Sequence, residues 1–266
     1  MNAKPKRLLV IAGSDSSGGA GIQADIKTAD AFGVYAMTAV TAVTAQTTKG
    51  VTAIHPVPAK IVAAQIEACL SDIGADAIKI GMLGSAAIVK AVAAAIARPA
   101  KKIPVVLDPV MASTSGRRFL SAAAKVALKR DLLPLTTLVT PNIPETRTLV
   151  GMRGTSSDAA VAAGKKLMAL GARATLIKGG HATRATVDDV LVWEKGVEIL
   201  AFPRLKTKHT HGTGCTYASA IACGLAEGLS IPLAVGRARE YVQAAIETAP
   251  GLGRGHGPLN HWAGRE

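Results

Sequence analysis

From Arg7 onward the chain alternates short runs rich in β-branched residues with longer alanine-rich runs, from end to end. Strands are predicted at residues 7–12, 35–43, 77–81, 104–107 and 137–140 and at Ala174–Ile177. A further pair, Thr186–Trp193 and residues 197–203, predicts a hairpin around Glu194-Lys195-Gly196. Helices are predicted between the first six strands, at residues 23–32, Ala59–Asp72, 85–97, 119–131 and 157–170. Alternating β and α units imply a mostly parallel sheet covered on both faces by helices. Within Ala59–Asp72, the residues Ile61, Ala64, Ile66, Cys69 and Leu70 fall near one stripe at helical spacing, which makes Cys69 a core residue. No repeat, low-complexity tract or Pro/Ser-rich linker divides the chain, so residues 1–266 read as one domain.

Composition narrows the partners. Hydrophobic residues make up 49% and aromatics only 3%, so Ala, Val, Ile and Leu must build the core. That scarcity argues against an aromatic surface on which nucleic-acid bases stack. The formal charge of +13 raises nucleic acid as a partner. However, the basic residues are scattered as pairs (Lys101-Lys102, Arg117-Arg118, Lys129-Arg130, Lys165-Lys166), several beside predicted helix ends, and no nucleic-acid motif accompanies them. No run approaches the roughly 18 apolar residues of a membrane span, so no membrane association is expected. The apolar run after the basic start Met1–Arg7 ends at Ala12, too short for a signal-peptide core. Three cysteines without metal-ligand spacing, which cannot all pair, point to a reducing cytoplasm.

The segments just after the strands carry more than the strands themselves. In order they are Gly13-Ser-Asp-Ser-Ser-Gly-Gly-Ala-Gly21, Thr44-Ala-Gln-Thr-Thr48, Gly81-Met-Leu-Gly84, Asp108-Pro-Val-Met111, Pro141-Asn-Ile-Pro-Glu145 and Lys178-Gly-Gly-His181. Open α/β sheets bind ligands at the carboxyl ends of their strands. Six polar or glycine-rich loops at equivalent ends would form one rim. A seventh segment, His209-Thr-His-Gly-Thr-Gly-Cys-Thr216, opens into an alanine-rich helical run. Free backbone N–H groups and the helix dipole make such a junction an anion site, and the same field would favour thiolate at Cys215. The alternative is a glycine turn that merely starts a helix, with Cys215 as a small buried hydrophobe.

Two common nucleotide signatures are absent. No Gly-x-x-x-x-Gly-Lys-Ser/Thr occurs, and residues 13–21 do not give Gly-x-Gly-x-x-Gly in register. Asp108 and Glu145 are metal candidates, each after a strand and beside proline; a magnesium–nucleotide complex needs only one or two carboxylates. Their bland alternatives are a turn cap for Asp108 and a solvated first-turn acid for Glu145. Lys178 closes an apolar strand, where a cation could neutralise phosphate or simply be solvated. His209-x-His211 lacks a third partner at zinc spacing; the two histidines shape the anion loop or lie on the surface.

Taken together, residues 12–27, Thr41-Ala-Val-Thr-Ala-Gln46, Lys79-Ile-Gly-Met-Leu83, residues 107–111, residues 140–145, residues 177–181 and Thr210-His-Gly-Thr-Gly-Cys-Thr216 resemble the hydroxymethylpyrimidine/phosphomethylpyrimidine kinases, members of the ribokinase-like superfamily. The match runs to the ending Gly253-Arg-Gly-His-Gly-Pro-Leu-Asn-His261. The resemblance implies a three-layer α/β/α ribokinase-like fold with a mostly parallel central sheet. It implies two successive phosphorylations of a pyrimidine with ATP and Mg2+, for thiamine biosynthesis. By position, Gln46 would hydrogen-bond the aminopyrimidine, framed by Gly13, Ala20, Val43, Met82 and Val110. Asp108 and Glu145 would organise magnesium, Asn142 and Lys178 would approach the nucleotide phosphates, and Gly212, Thr213 and Gly214 would form the anion hole.

Sugar kinases of this superfamily usually place an aspartate base where Cys215 stands; cysteine marks the pyrimidine-kinase branch. Cys215 is expected to act as base or positioner, without a covalent role. The runner-up activity is a pyridoxal kinase of the same type, since both acceptors are flat heteroaromatics with a hydroxymethyl group. A nucleic-acid module is the alternative from another class. The resemblance also implies a homodimer.

Overall fold

The computed structural model of the chain describes residues 4–113, 116–181 and 185–263. Met1 to Ala3, part of the basic start, lie outside them. Nine strands join in one sheet: β1 (Arg7–Asp15), β2 (Tyr35–Thr47), β3 (Gly50–Pro56), β4 (Ala77–Ile80), β5 (Val105–Leu107), β6 (Leu138–Val139), β7 (Ala174–Ile177), β8 (Thr186–Trp193) and β9 (Gly196–Pro203). The helices are α1 (Gly21–Ala31), α2 (Ala59–Asp72), α3 (Ala86–Ile96), α4 (Ala122–Ala127), α5 (Ile143–Val150), α6 (Ser157–Ala169), α7 (Thr213–Ala226) and α8 (Ile231–Glu247). Across the sheet the strand order is β3-β2-β1-β4-β5-β6-β7-β8-β9. The six neighbouring strands β2, β1, β4, β5, β6 and β7 run parallel, while the edge pairs β2–β3, β7–β8 and β8–β9 are antiparallel. The predicted three-layer, mostly parallel architecture is therefore what the chain forms.

Strand alternation sorts the core into two faces. Leu9, Ile11, Ile78, Ile80, Val105 and Leu107 pack against Val62, Ile66, Val89, Val92 and Leu128, from α2, α3 and the turn after α4. Leu8, Val10, Ala77, Val106, Leu138 and Leu176 face Ala29, Ala218, Ile221, Val235 and Val242, from α1, α7 and α8. Near-continuous apolar strands covered on both sides are what parallel sheets require.

The structure corrects three local expectations. Residues 44–48 do not form a loop: β2 continues through Thr47 and hairpins into β3, which the sequence did not reveal because none of its residues is buried. The predicted helix at residues 119–131 starts only at Ala122, after its Ser121 cap, and widens into a π turn over Leu128–Leu132 before Pro134. In α2 the apolar stripe is centred on Val62 and Ile66, leaving Ile61 half exposed. Cys69 packs against the core as expected. Among the described residues no helix is long and apolar enough to cross a membrane.

Candidate active site

From β1 the chain runs outward to β2 and β3 on one side and then crosses back to β4 on the other side of β1, and a crevice opens where strand order reverses. The rim loops meet there around a cavity of about 480 Å3. Its walls include Gly13, Ala20, Gln46, Met82, Asp108, Val110, Asn142, Glu145, Lys178 and the turn Gly212 to Cys215. The six strand ends thus form one rim.

The loop after β1 folds tightly because of its glycines and one aspartate. A Cβ on Gly13 would collide with the Met82 methyl group, and one on Gly21 (φ +56°) with the carbonyl of Gly13. Asp15 organises the turn: Oδ1 accepts from the N–H and hydroxyl of Ser17, both at 2.8 Å, and Oδ2 from the Ala20 N–H at 2.9 Å. His211 adds a fourth bond, Nε2 to Oδ2 at 2.8 Å. Burial pushes the Asp15 carboxyl up, but the bonds from His211 and Ser17 outweigh it and hold the group below the usual carboxylate range.

On β2, Thr44 and Gln46 face the cavity, whereas Val43, predicted to frame the acceptor, does not. Side chains alternate along a strand, so Val43 points the other way and is 50% exposed. Thr44 takes its place, its hydroxyl donating to the Ser14 carbonyl at 3.0 Å.

Gly212 caps α7 in the left-handed region, φ +85°, so close to the Gly19 carbonyl that a Cβ there would overlap it. Only glycine fits both constraints. Behind it, a Cβ on Gly214 would stand 3.3 Å from both Asp108 Oδ2 and Lys178 Nζ. The space left by that missing side chain is thus bounded by a carboxylate and an ammonium group.

Lys178 donates to Asp108 Oδ1 at 2.7 Å, and Thr140 adds a bond to the same oxygen at 3.3 Å. Burial works against the Lys178 charge, but Asp108 and Glu145 raise it above its ordinary pKa. Asn142 caps α5 in a reciprocal box: its side chain accepts from the Glu145 N–H at 2.9 Å, and Glu145 Oε2 accepts from the Asn142 N–H at 2.8 Å. Glu145 is therefore not a solvated acid. Burial pushes its carboxyl up to about 7 against the pull of Lys178.

Cys215, third residue of α7, is partly buried at the cavity wall. Burial works against the expected thiolate, pushing the thiol up to about 11, with Lys79 the main force the other way. Desolvation here outweighs the helix terminus. Beneath this wall Lys79 of β4 is fully buried, donating to Asp25 of α1 at 2.7 Å. Ser219, one turn after Cys215, donates to the same Asp25 oxygen at 2.7 Å.

The cavity is also lined by Val187, Pro203, Leu205, Val242 and Ile246, together with the polar Asp189, Arg204, Arg239 and Gln243. Sequence reasoning missed Asp15, Thr44 and the Lys79–Asp25 pair as site-building residues. The signals were present, in Ser-Asp-Ser-Ser before the glycines and in a lysine inside an otherwise apolar strand.

A mostly parallel sheet with a cavity at the strand-order reversal, and a glycine turn opening a helix across from a lysine–aspartate pair, fit the ribokinase-like class of kinases. The phosphomethylpyrimidine kinase family model matches residues 15–260. The chain is 45% identical over 263 residues to the hydroxymethylpyrimidine/phosphomethylpyrimidine kinase of Haemophilus influenzae, covering 97% of each. It is 46% identical over 254 residues to the thiamine biosynthesis bifunctional protein of Geobacter sulfurreducens, covering 96% of this chain and only about half, 52%, of that protein. Among solved structures, an ADP complex of Bacillus subtilis pyridoxal kinase superposes with a TM-score of 0.90 at 36% identity, over 98% of this chain and 99% of that one. The chain belongs to the phosphomethylpyrimidine kinase family.

Proposed function

We infer that this kinase transfers phosphate from ATP to 4-amino-5-hydroxymethyl-2-methylpyrimidine and then to the resulting monophosphate, giving the pyrophosphate used in thiamine biosynthesis. The observation that carries this is the layout of the cavity. Gly13, Thr44, Gln46, Met82 and Val110, taken as the acceptor wall, line the same cavity as Lys178 and the turn Gly212 to Cys215, and the apolar Val187, Val242 and Ile246 leave room in it for a nucleotide base.

In the transfer, the acceptor oxygen attacks the γ-phosphorus, the bond to the bridging oxygen breaks, and ADP leaves. The Gly212–Gly214 N–H groups and Lys178 stabilise the phosphoryl charge, the contribution on which such loose transition states depend most. Asn142 and Lys178 approach the nucleotide phosphates. Cys215 positions the acceptor hydroxyl, whose proton departs late, to water or to the transferred phosphoryl oxygen.

Among the described residues no group of three or more His, Cys, Asp or Glu side chains forms a cage for a metal. That fits magnesium bound mainly through phosphates and water. Asp108 would hold it, with Oδ2 facing the space at Gly214. Glu145 would sit behind, since its oxygens already accept from the Asn142 and Met111 N–H groups. Magnesium bound there supplies charge neutralisation on the phosphates. Residues 1–266 acting as one cytoplasmic domain, assembled as a homodimer, complete this reading. One sheet from Arg7 to Pro203 and three free cysteines support its first two parts.

Pyridoxal is the second acceptor to consider, because the Bacillus structure is of a pyridoxal kinase. Steady-state kinetics with each acceptor at saturating MgATP separate them. The hydroxymethylpyrimidine is expected to show the higher kcat/KM, by about tenfold or more. A preference for pyridoxal would overturn the choice.

A further inference from the structure

The loop after β1, the end of β2 and the turn before α7 meet at His211. This side chain is buried and packs under Gly19, where a Cβ would stand 2.6 Å from its Cδ2. Its Nε2 is 2.8 Å from Asp15 Oδ2 and 3.2 Å from Nε2 of Gln46. Asp15 is surrounded by donors from Ser17 and Ala20 and stays ionised. A carboxylate only accepts, so His211 Nε2 must carry the hydrogen that joins them. A nitrogen whose hydrogen points at Asp15 has no lone pair left for the Gln46 amino group, whereas an amide oxygen can share that N–H.

The two ends of a glutamine amide have the same shape, and hydrogen bonding decides between them. Thr44 Oγ1 lies 3.2 Å from the other end of the amide and gives its hydrogen to Ser14. Its lone pairs can therefore accept from an NH2 group. Oxygen toward His211 and nitrogen toward Thr44 is the arrangement that satisfies every group.

We propose that the Asp15–His211 pair is a positioning device that fixes the Gln46 amide in this orientation, so that its outer edge offers oxygen and N–H, in set order, to a heterocycle bearing an amino group beside a ring nitrogen. A glutamine amide makes such a two-bond pairing with adenine's amino group and adjacent ring nitrogen. A pyridine ring carrying hydroxyl and aldehyde groups has no such edge. The inference rests on the pyrimidine-kinase reading and names the residues that set its acceptor selectivity.

Calorimetric titration tests it, using 4-amino-5-hydroxymethyl-2-methylpyrimidine and its counterpart lacking the amino group. The wild-type enzyme is expected to prefer the amino compound by about tenfold or more. His211→Phe should reduce that preference to within about twofold, while His211→Gln, which keeps a donor at similar reach, should retain it to within about threefold. If melting shows His211→Phe unfolded, Asp15→Asn carries the same expected loss. A folded His211→Phe or Asp15→Asn variant that keeps the full preference overturns the proposal, as does a wild-type enzyme without one. Failure of the wild type to bind or phosphorylate either pyrimidine would instead remove the pyrimidine-kinase reading itself; phosphorylation without discrimination removes only this inference.

Discussion

Cys215 stands where the helix field and Lys79 pull toward thiolate while burial pushes toward thiol, and burial is the stronger. A positioning role is therefore better supported than a base role. Cys215→Ala is expected to lower kcat about a hundredfold, the scale of a misplaced reactant, while pyrimidine binding changes less than about threefold. Cys215→Ser, which keeps a group able to hold the hydroxyl, should recover at least about tenfold of that loss. Equal inactivity of the serine and alanine variants in rapid-quench assays would count against positioning. Beneath it, burial opposes the Lys79 charge and Asp25 holds it in place, raising the lysine well above its ordinary pKa. Lys79→Met should leave the buried Asp25 without its cation, at a cost of about 3–5 kcal/mol. Thermal unfolding reads this directly, and a change below about 1 kcal/mol would show that the pair contributes little.

Among the elements, the segment after α8 ties the site's parts together without lining it through a long strand or helix. His256 N–H donates to the Thr48 carbonyl in the β2–β3 hairpin, and Tyr241 of α8 donates to the His261 carbonyl. The His261 ring, buried, bonds to Thr216 of α7 at 3.0 Å. Burial pushes its pKa down to about 4. The unfolded chain therefore binds this proton below about pH 6.5 while the fold excludes it until about pH 4. Stability present above pH 6.5 is lost as pH falls through that window, by on the order of 3 kcal/mol. Glu145, pushed up to about 7, works in the opposite sense over much of the same range. The test is thus the difference between wild type and His261→Gln in urea unfolding at several pH values. That difference should narrow as pH falls from 6.5 to 4; a constant difference would contradict it.

The elements that sequence shows clearly are the buried ones. Ala174–Ile177 and Ala59–Asp72 stand where they were predicted, because an apolar run or a helical stripe has one stable placement. β3 escaped because an exposed edge strand carries no apolar pattern. α5 escaped because eight residues give an apolar stripe only about two turns to repeat in, although the Asn142-x-x-Glu145 box and Pro144 marked its start.

At the scale of the whole molecule, the sheet's order reversal gathers loops from across the chain into one cavity. The family motifs made that gathering legible residue by residue, from Gly13 to Cys215. They did not convey orientation: strand alternation turns Val43 outward and Thr44 toward the cavity, and burial pushes the Cys215 thiol up. Those outcomes depend on partners distant in sequence, such as Asp15 and His211, which no local pattern links. The central claim is that this cavity carries a pyrimidine through two transfers. The most direct measurement is mass-spectrometric counting of phosphates on the product when 4-amino-5-hydroxymethyl-2-methylpyrimidine is incubated with the enzyme and excess MgATP. A monophosphate that rises and then gives way to the pyrophosphate is the expected result. A monophosphate that accumulates unchanged, or an acceptor left unphosphorylated, would contradict it.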